Sequence, residues 1–112
     1  MLNNNEAGVC GLLYSVTLGS VDNTARFEGE PGRLAQAVPE IYALPSVGDR
    51  VVLNITDALL AQYLGSSRGM LHYSTVLNQL RFSRDPVALD VMSVRELERQ
   101  RRLARAQMFR AN

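Results

Sequence analysis

Val9-Cys10-Gly11-Leu12-Leu13-Tyr14-Ser15-Val16-Thr17-Leu18 is the stretch on which the fold of this chain turns. Cys10, Leu12, Tyr14, Val16 and Leu18 share one side of a period of two, and Gly11, Ser15 and Thr17 share the other. That alternation predicts a half-buried β-strand. Gly19-Ser20-Val21-Asp22-Asn23 follows as a cluster of turn residues. Residues 24–28 then alternate Ala25 and Phe27 against Thr24, Arg26 and Glu28, so residues 9–28 together predict a β-hairpin.

Working outward, Gly29-Glu30-Pro31-Gly32 breaks the chain, and residues 34–44 are apolar but cut by Pro39. A proline removes an amide and clashes with the preceding turn, so short extended pieces are expected there rather than a helix. Pro45-Ser46-Val47-Gly48-Asp49 is a second turn, after which Val51, Leu53 and Ile55 resume alternation and predict a strand over 50–56. Thr56 or Asp57 as N-cap and Gly65 as C-terminal stop bracket a short helix at 57–64, which would bury Leu59, Leu60, Tyr63 and Leu64. Residues 70–82 fit a strand through His72 to Val76, and also a helix through Met70, Tyr73, Leu77 and Leu80; the strand, to about residue 78, is preferred. Ser83-Arg84-Asp85-Pro86 turns the chain, and residues 87–92 read as a short edge strand.

Ser93-Val94-Arg95-Glu96 matches a capping box, and the residues after it are strong helix formers without glycine or proline. A helix over 94–109 follows. Its apolar positions Val94, Leu97, Ala104 and Met108 share an arc with Arg101 and Arg105, while Leu103 lies roughly opposite. Such a helix is poorly made to lie against its own core, and is expected to project towards a partner. The expected fold is therefore α+β: a small, mostly antiparallel β-barrel or sandwich of about five strands, with one short helix and a C-terminal Arg-rich helix. Residues 1–8 read as a polar N-terminal arm, 9–92 as the β-rich domain and 93–112 as a basic helical extension.

Charge is the second informative feature. The 112 residues have room for one domain, and all twelve basic residues are arginine. Arg95, Arg99, Arg101, Arg102, Arg105 and Arg110 face only Glu96 and Glu98 in the last twenty residues, giving +4. Residues 1–92 carry six arginines against nine acids, giving −3. The formal net charge of +1 thus hides an acidic body and a basic tail. Arginine's planar fork suits both carboxylates and phosphates, which makes these six residues the candidate partner-binding set.

Little here points to catalysis. Cys10 is the single cysteine and lies in an apolar run, so neither an intramolecular disulfide nor a thiolate zinc cage is expected. His72 is the single histidine and has no nucleophile or carboxylate at a telling spacing. Glu28 with Glu30, and Asp85 with Asp90, read as solvated loop charges, and the Gly65-Ser66-Ser67-Arg68-Gly69 loop lacks the lysine of a phosphate-binding loop. No enzyme, cofactor or metal is expected. The first residues carry neither a positive nor a continuous apolar segment, so a signal peptide is not expected; the longest apolar segment, residues 9–18, is far too short for a membrane span, and the cytoplasm or a virion is the expected location. The leading expectation is a structural subunit of a larger assembly, made with other copies of itself or other assembly proteins. By analogy of architecture this resembles parts of phage and virus particles, where compact β domains carry extended arms. The alternative is a small nucleic-acid-binding or regulatory protein gripping phosphates through its C-terminal helix.

Overall fold

A computed structural model of the chain describes residues 2–5, 8–27, 31–64 and 70–111. Their order is β1 (Asn3–Asn5), β2 (Gly8–Cys10), α1 (Leu12–Gly19), α2 (Pro31–Tyr42), β3 (Asn54–Gln62), β4 (Ser74–Ser83) and α3 (Pro86–Ala111). Short 3-10 turns at Ala25–Phe27, Gly48–Arg50 and Leu71–Tyr73 link them. β1 pairs with β2 and β3 with β4, each pair antiparallel, and the two pairs do not join. The architecture is an open α+β arrangement of three helices around a two-stranded sheet, which overturns the expected barrel or sandwich of about five strands.

The long hairpin and α3 form the frame. β3 and β4 run from Asn54 opposite Ser83 to Gln62 opposite Ser74, interrupted by a register shift between Ala58 and Leu60. Leu77 and Asn78 there oppose Leu59 alone, and Asn78 adopts φ 54°, the left-handed conformation that asparagine tolerates better than most residues. The bulge re-phases the sheet so that Ala58 and Ala61 are both fully buried. Leu97 of α3 packs on these two alanines together with Leu2 and the partly buried Leu77. Leu2 reaches this core from the N-terminus by bridging β3 in parallel: its amide donates to Leu60 O and its carbonyl accepts from Gln62 N, both at 2.8 Å. Leu2, within the segment read as a polar N-terminal arm, is thus part of the core.

Each misread segment has a physical reason. Residues 9–18 form the end of β2 and then α1. Leu12, Leu13 and Val16 also satisfy helical spacing, and the cap comes from far away: Leu12 N and Leu13 N donate to Asp90 Oδ1 and Oδ2 at 2.7 and 3.2 Å. A carboxylate at a helix N-terminus meets unpaired amides and the positive end of the helix dipole. Thr17, fully buried, donates to Leu13 O at 2.7 Å. The described part of the second expected strand, 24–28, is a 3-10 turn, so there is no hairpin over 9–28.

Residues 34–44 fall largely in α2 instead of extended pieces: Pro31 stands in its first turn, where a missing amide costs little, and Pro39 is accommodated inside the helix. Leu34, Ala37, Val38 and Ile41 give the helix its inward stripe, with Ala37 buried. The strand expected at 50–56 begins only at Asn54, and the helix expected at 57–64 is instead the rest of β3, ending at Gln62. Pairing with β4 overrides the helix-forming composition of Ala58 to Leu64. The Asp57 carboxylate accepts from Leu59 N at 3.0 Å inside β3, not at the start of a helix.

The expected edge strand at 87–92 is the start of α3, eight residues before the expected helix. Its cap is Asp85, whose Oδ1 accepts from Val87 N and Ala88 N at 3.0 and 3.1 Å, with Pro86 in the first helical position. Ser93 is therefore no N-cap. It is buried mid-helix and donates to Leu89 O at 3.0 Å. Of the strand preferred over residues 70 to about 78, Leu71–Tyr73 is instead a 3-10 turn, and the strand from Ser74 runs past 78 to Ser83.

Candidate interaction surfaces

The β3–β4 sheet carries its large apolar side chains on the wrong face for the helix that covers it. Towards α3 it presents Asn54, Thr56, Ala58 and Ala61, all buried. Away from α3 it presents Ile55, Leu59, Val76, Leu80 and Phe82, all exposed, with Val76 at 61 % and Phe82 at 58 %. Ile55 stands opposite Phe82, and Asp57 opposite Leu80, so the outer face is an apolar patch with one carboxylate near its middle. Strand register is normally set by burying the larger hydrophobes. Half-burying five such side chains would contribute on the order of 5 kcal/mol, comparable with the whole stability of a small domain. The inner face is shaped for close approach of α3; the outer face has no such cover among the described residues.

The rest of the molecule is equally lean. Buried hydrophobic residues among those described are Leu2, Ala37, Ala58, Ala61, Leu89 and Leu97, half of them alanine. The molecule measures 53 × 31 × 18 Å with a radius of gyration of 15.3 Å, against roughly 13 Å for a compact chain of this length.

The second apolar surface is the end of α3. This helix of 26 residues is about 39 Å long, and its inward stripe Leu89, Ser93, Leu97 and Gln100 is buried. From residue 101 onward no described side chain is buried. Leu64, Arg101, Ala104, Arg105, Met108 and Phe109 line an open groove of about 460 Å³ there. Phe109 is 83 % and Met108 66 % exposed, and Arg105 lies one turn before both.

The six arginines expected to bind a partner do not form one set: Arg101 and Arg105 line this groove, and Arg95, Arg99 and Arg102 line another. Arg101 Nε donates to Tyr63 O at 2.6 Å, tying α3 to the end of β3. Arg99 pairs with Glu96 at 3.0 Å. Glu96 also accepts from Gln100 Nε2 at 3.0 Å, and the Arg99 bond, with Gln100 second, holds its carboxyl below the usual range; Glu96 in turn raises Arg99. Arg95, Arg102, Arg105 and Arg110 are exposed and make no hydrogen bond or ion pair with a described residue. Arg95, Arg99 and Arg102 share a shallow groove of about 470 Å³ with Arg81, Met92, Glu96 and Glu98. Arg81, which the sequence reading passed over, donates Nε and Nη2 to Gln79 Oε1 at 3.1 and 2.9 Å, and its Nη1 is buried with no partner among the described residues.

The remaining sequence candidates are dispersed. His72 is exposed beside Tyr73, ring centroids 4.1 Å apart. Asp85 and Asp90 are the caps of α3 and α1, structural roles that sequence spacing hid because one partner lies 78 residues away. The 65–69 loop and the Glu28–Glu30 pair lie outside the described residues. Among the described residues no cluster of three His, Cys, Asp or Glu side chains could hold a metal ion, and no helix is long and apolar enough to cross a membrane. No family model matches this chain, and it matches neither the curated proteins nor the solved structures compared with it.

Proposed function

We propose that this chain is a non-enzymatic subunit of a larger protein assembly, joined to copies of itself or to other assembly proteins. The observation that carries the reading is the uncovered outer face of the β3–β4 sheet, Ile55, Leu59, Val76, Leu80 and Phe82, on a molecule with so small a core. An apolar face of this kind marks an interaction site on a soluble protein. The exposed arginines at the end of α3 add orientation, because charge complementarity selects partners and steers encounter more than it adds affinity. A place in a phage or virus particle belongs to this reading only through assembly, since the β-barrel body that prompted the analogy is gone.

A second reading, nucleic-acid binding, is favoured by the groove in which Arg81 joins Arg95, Arg99 and Arg102. Glu96 and Glu98 in the same groove oppose it, leaving a local charge of +2 from four arginines and two glutamates. Size-exclusion chromatography with light scattering, with and without a short mixed-sequence oligonucleotide, separates the two. A mass several times 12.4 kDa that the oligonucleotide leaves unchanged supports the assembly subunit. A monomer that takes up oligonucleotide, and releases it as salt rises, supports the second reading instead.

A further inference from the structure

We infer that the groove between β4 and α3 binds a phosphate monoester, a small molecule carrying a terminal phosphate dianion, through Arg81, Arg95 and Arg102. This site lies apart from the outer sheet face, so the assembly reading stands or falls without it. Arg95, Arg99 and Arg102 fall at i, i+4 and i+7 on α3 and form one stripe along the helix. Arg81 meets that stripe from β4, and Met92, Glu96 and Glu98 complete the wall of a groove of about 470 Å³.

The charges in this groove do not balance. Glu96 is already engaged, accepting from Arg99 Nη2 and from Gln100 Nε2, both at 3.0 Å. Arg99 and Glu96 therefore neutralise each other, and Arg81, Arg95 and Arg102 are left with Glu98, a surplus of two positive charges. Arg95 and Arg102 are exposed and bonded to no described residue, so both can turn onto a ligand. Arg81 is held in place instead. It is half-buried, its Nε and Nη2 are anchored on Gln79 Oε1, and its Nη1 is out of water with no acceptor among the described residues. A guanidinium cannot shed its charge, so burying one edge of it without an anion is costly. An anion in the groove supplies the opposite charge that this fixed group lacks.

The same features choose the anion. Guanidinium groups supplied by a strand and by a helix approach a ligand from two sides, and a phosphate offers oxygens in tetrahedral directions where a carboxylate offers two in one plane. A terminal phosphate carries a charge of about −1.5 to −2, which matches the surplus in the groove. A phosphodiester of a nucleic-acid backbone, like a glutamate side chain, carries a single charge and leaves part of that surplus unanswered. The groove is larger than a phosphate alone, and the exposed side chain of Met92 offers apolar contact to the group that bears it.

Titration of the full-length chain with phenyl phosphate at fixed ionic strength, followed through the arginine Nε–H signals by NMR, tests the site. The Arg81 and Arg95 signals should shift and saturate. Arg95→Gln and Arg102→Gln should each weaken binding about tenfold, as the loss of one charge-assisted hydrogen bond does. Arg81→Gln should weaken it at least as much; if that half-buried change unfolds the chain, the two exposed variants still decide the matter. Arg110→Gln removes the same charge from the same helix outside the groove, and should leave affinity within about twofold of wild type. Equal weakening by Arg110→Gln would reduce the effect to diffuse attraction by the tail and overturn the site, as would an Arg81 signal that phenyl phosphate leaves unmoved. An oligonucleotide without terminal phosphates, or a hexaglutamate peptide, that binds as tightly through the same arginines overturns the choice of a phosphate dianion.

Discussion

The two faces of the β3–β4 sheet are made by the same strands, one residue out of step, and they are built for opposite purposes. Inward, Ala58 and Ala61 clear space for Leu97, and the result is a helix seated closely on a short sheet. Outward, Ile55, Leu59, Val76, Leu80 and Phe82 offer more apolar surface than the inner face does, and each stays at least 47 % exposed. The inner face therefore holds the monomer together, whereas the outer face is surplus to the monomer. Small residues inward are not a weakness, because they let α3 approach closely enough for dispersion to act along its length.

The sharpest way to break that contrast is Leu97→Ala. Leu97 is only 2 % exposed and is the largest fully buried side chain among the described residues, so its truncation should cost about 2–5 kcal/mol, measured by urea unfolding. A loss that size would approach the stability of the whole domain. Asp90→Ala acts one layer away, where α3 caps α1. Removing the carboxylate leaves the Leu12 and Leu13 amides without it and should cost about 1–2 kcal/mol, with helical signal lost in circular dichroism. Equal stability to wild type would mean that α1 does not depend on α3 for its start.

Phe82→Ser on the outer face should shift monomer stability by no more than about 0.5 kcal/mol at concentrations too low for association. If its cost instead matched that of Leu97→Ala, the two faces would be equivalent and the contrast would collapse. The smallest expected effect is with pH. The Glu96 carboxyl is held low chiefly by its bond from Arg99, so its contribution is fully present above the ordinary carboxylate range and is lost as pH falls through its lowered value. Because Arg99 is exposed, Glu96→Gln should flatten the acid limb of the unfolding curve only slightly. A large flattening would show that the Glu96 network braces α3 against the sheet.

The parts legible from sequence are those whose reasons are local. Residues 94–109 are helix formers without a breaker and are helical; the strand preferred to about residue 78 is seen from Ser74, and β4 runs on to Ser83. The same local logic failed where a distant group decided. Leu12 to Gly19 satisfies both a two-residue and a helical period, and the Asp90 carboxylate tips it to helix. Ala58 to Leu64 looks helical alone, yet Leu60, Ala61 and Gln62 pair with Val76, Thr75 and Ser74 while Leu2 bridges the other side. The six arginines were visible as a set, but their division was not. Arg101 bonds a backbone carbonyl 38 residues away and Arg99 pairs within its helix, which leaves Arg95, Arg102, Arg105 and Arg110 facing outward.

Sequence by itself determined the charge asymmetry, the single cysteine and single histidine, and the helix-forming basic tail, because these follow from residue identity and from neighbours within a turn or two. Only the tertiary structure decided that the body is an open two-stranded sheet and that its hydrophobic face looks away from its own helix. Those outcomes depend on a strand pairing across some twenty residues, a bulge at Asn78 and a carboxylate cap 78 residues distant, and such contacts form only when the chain has already folded.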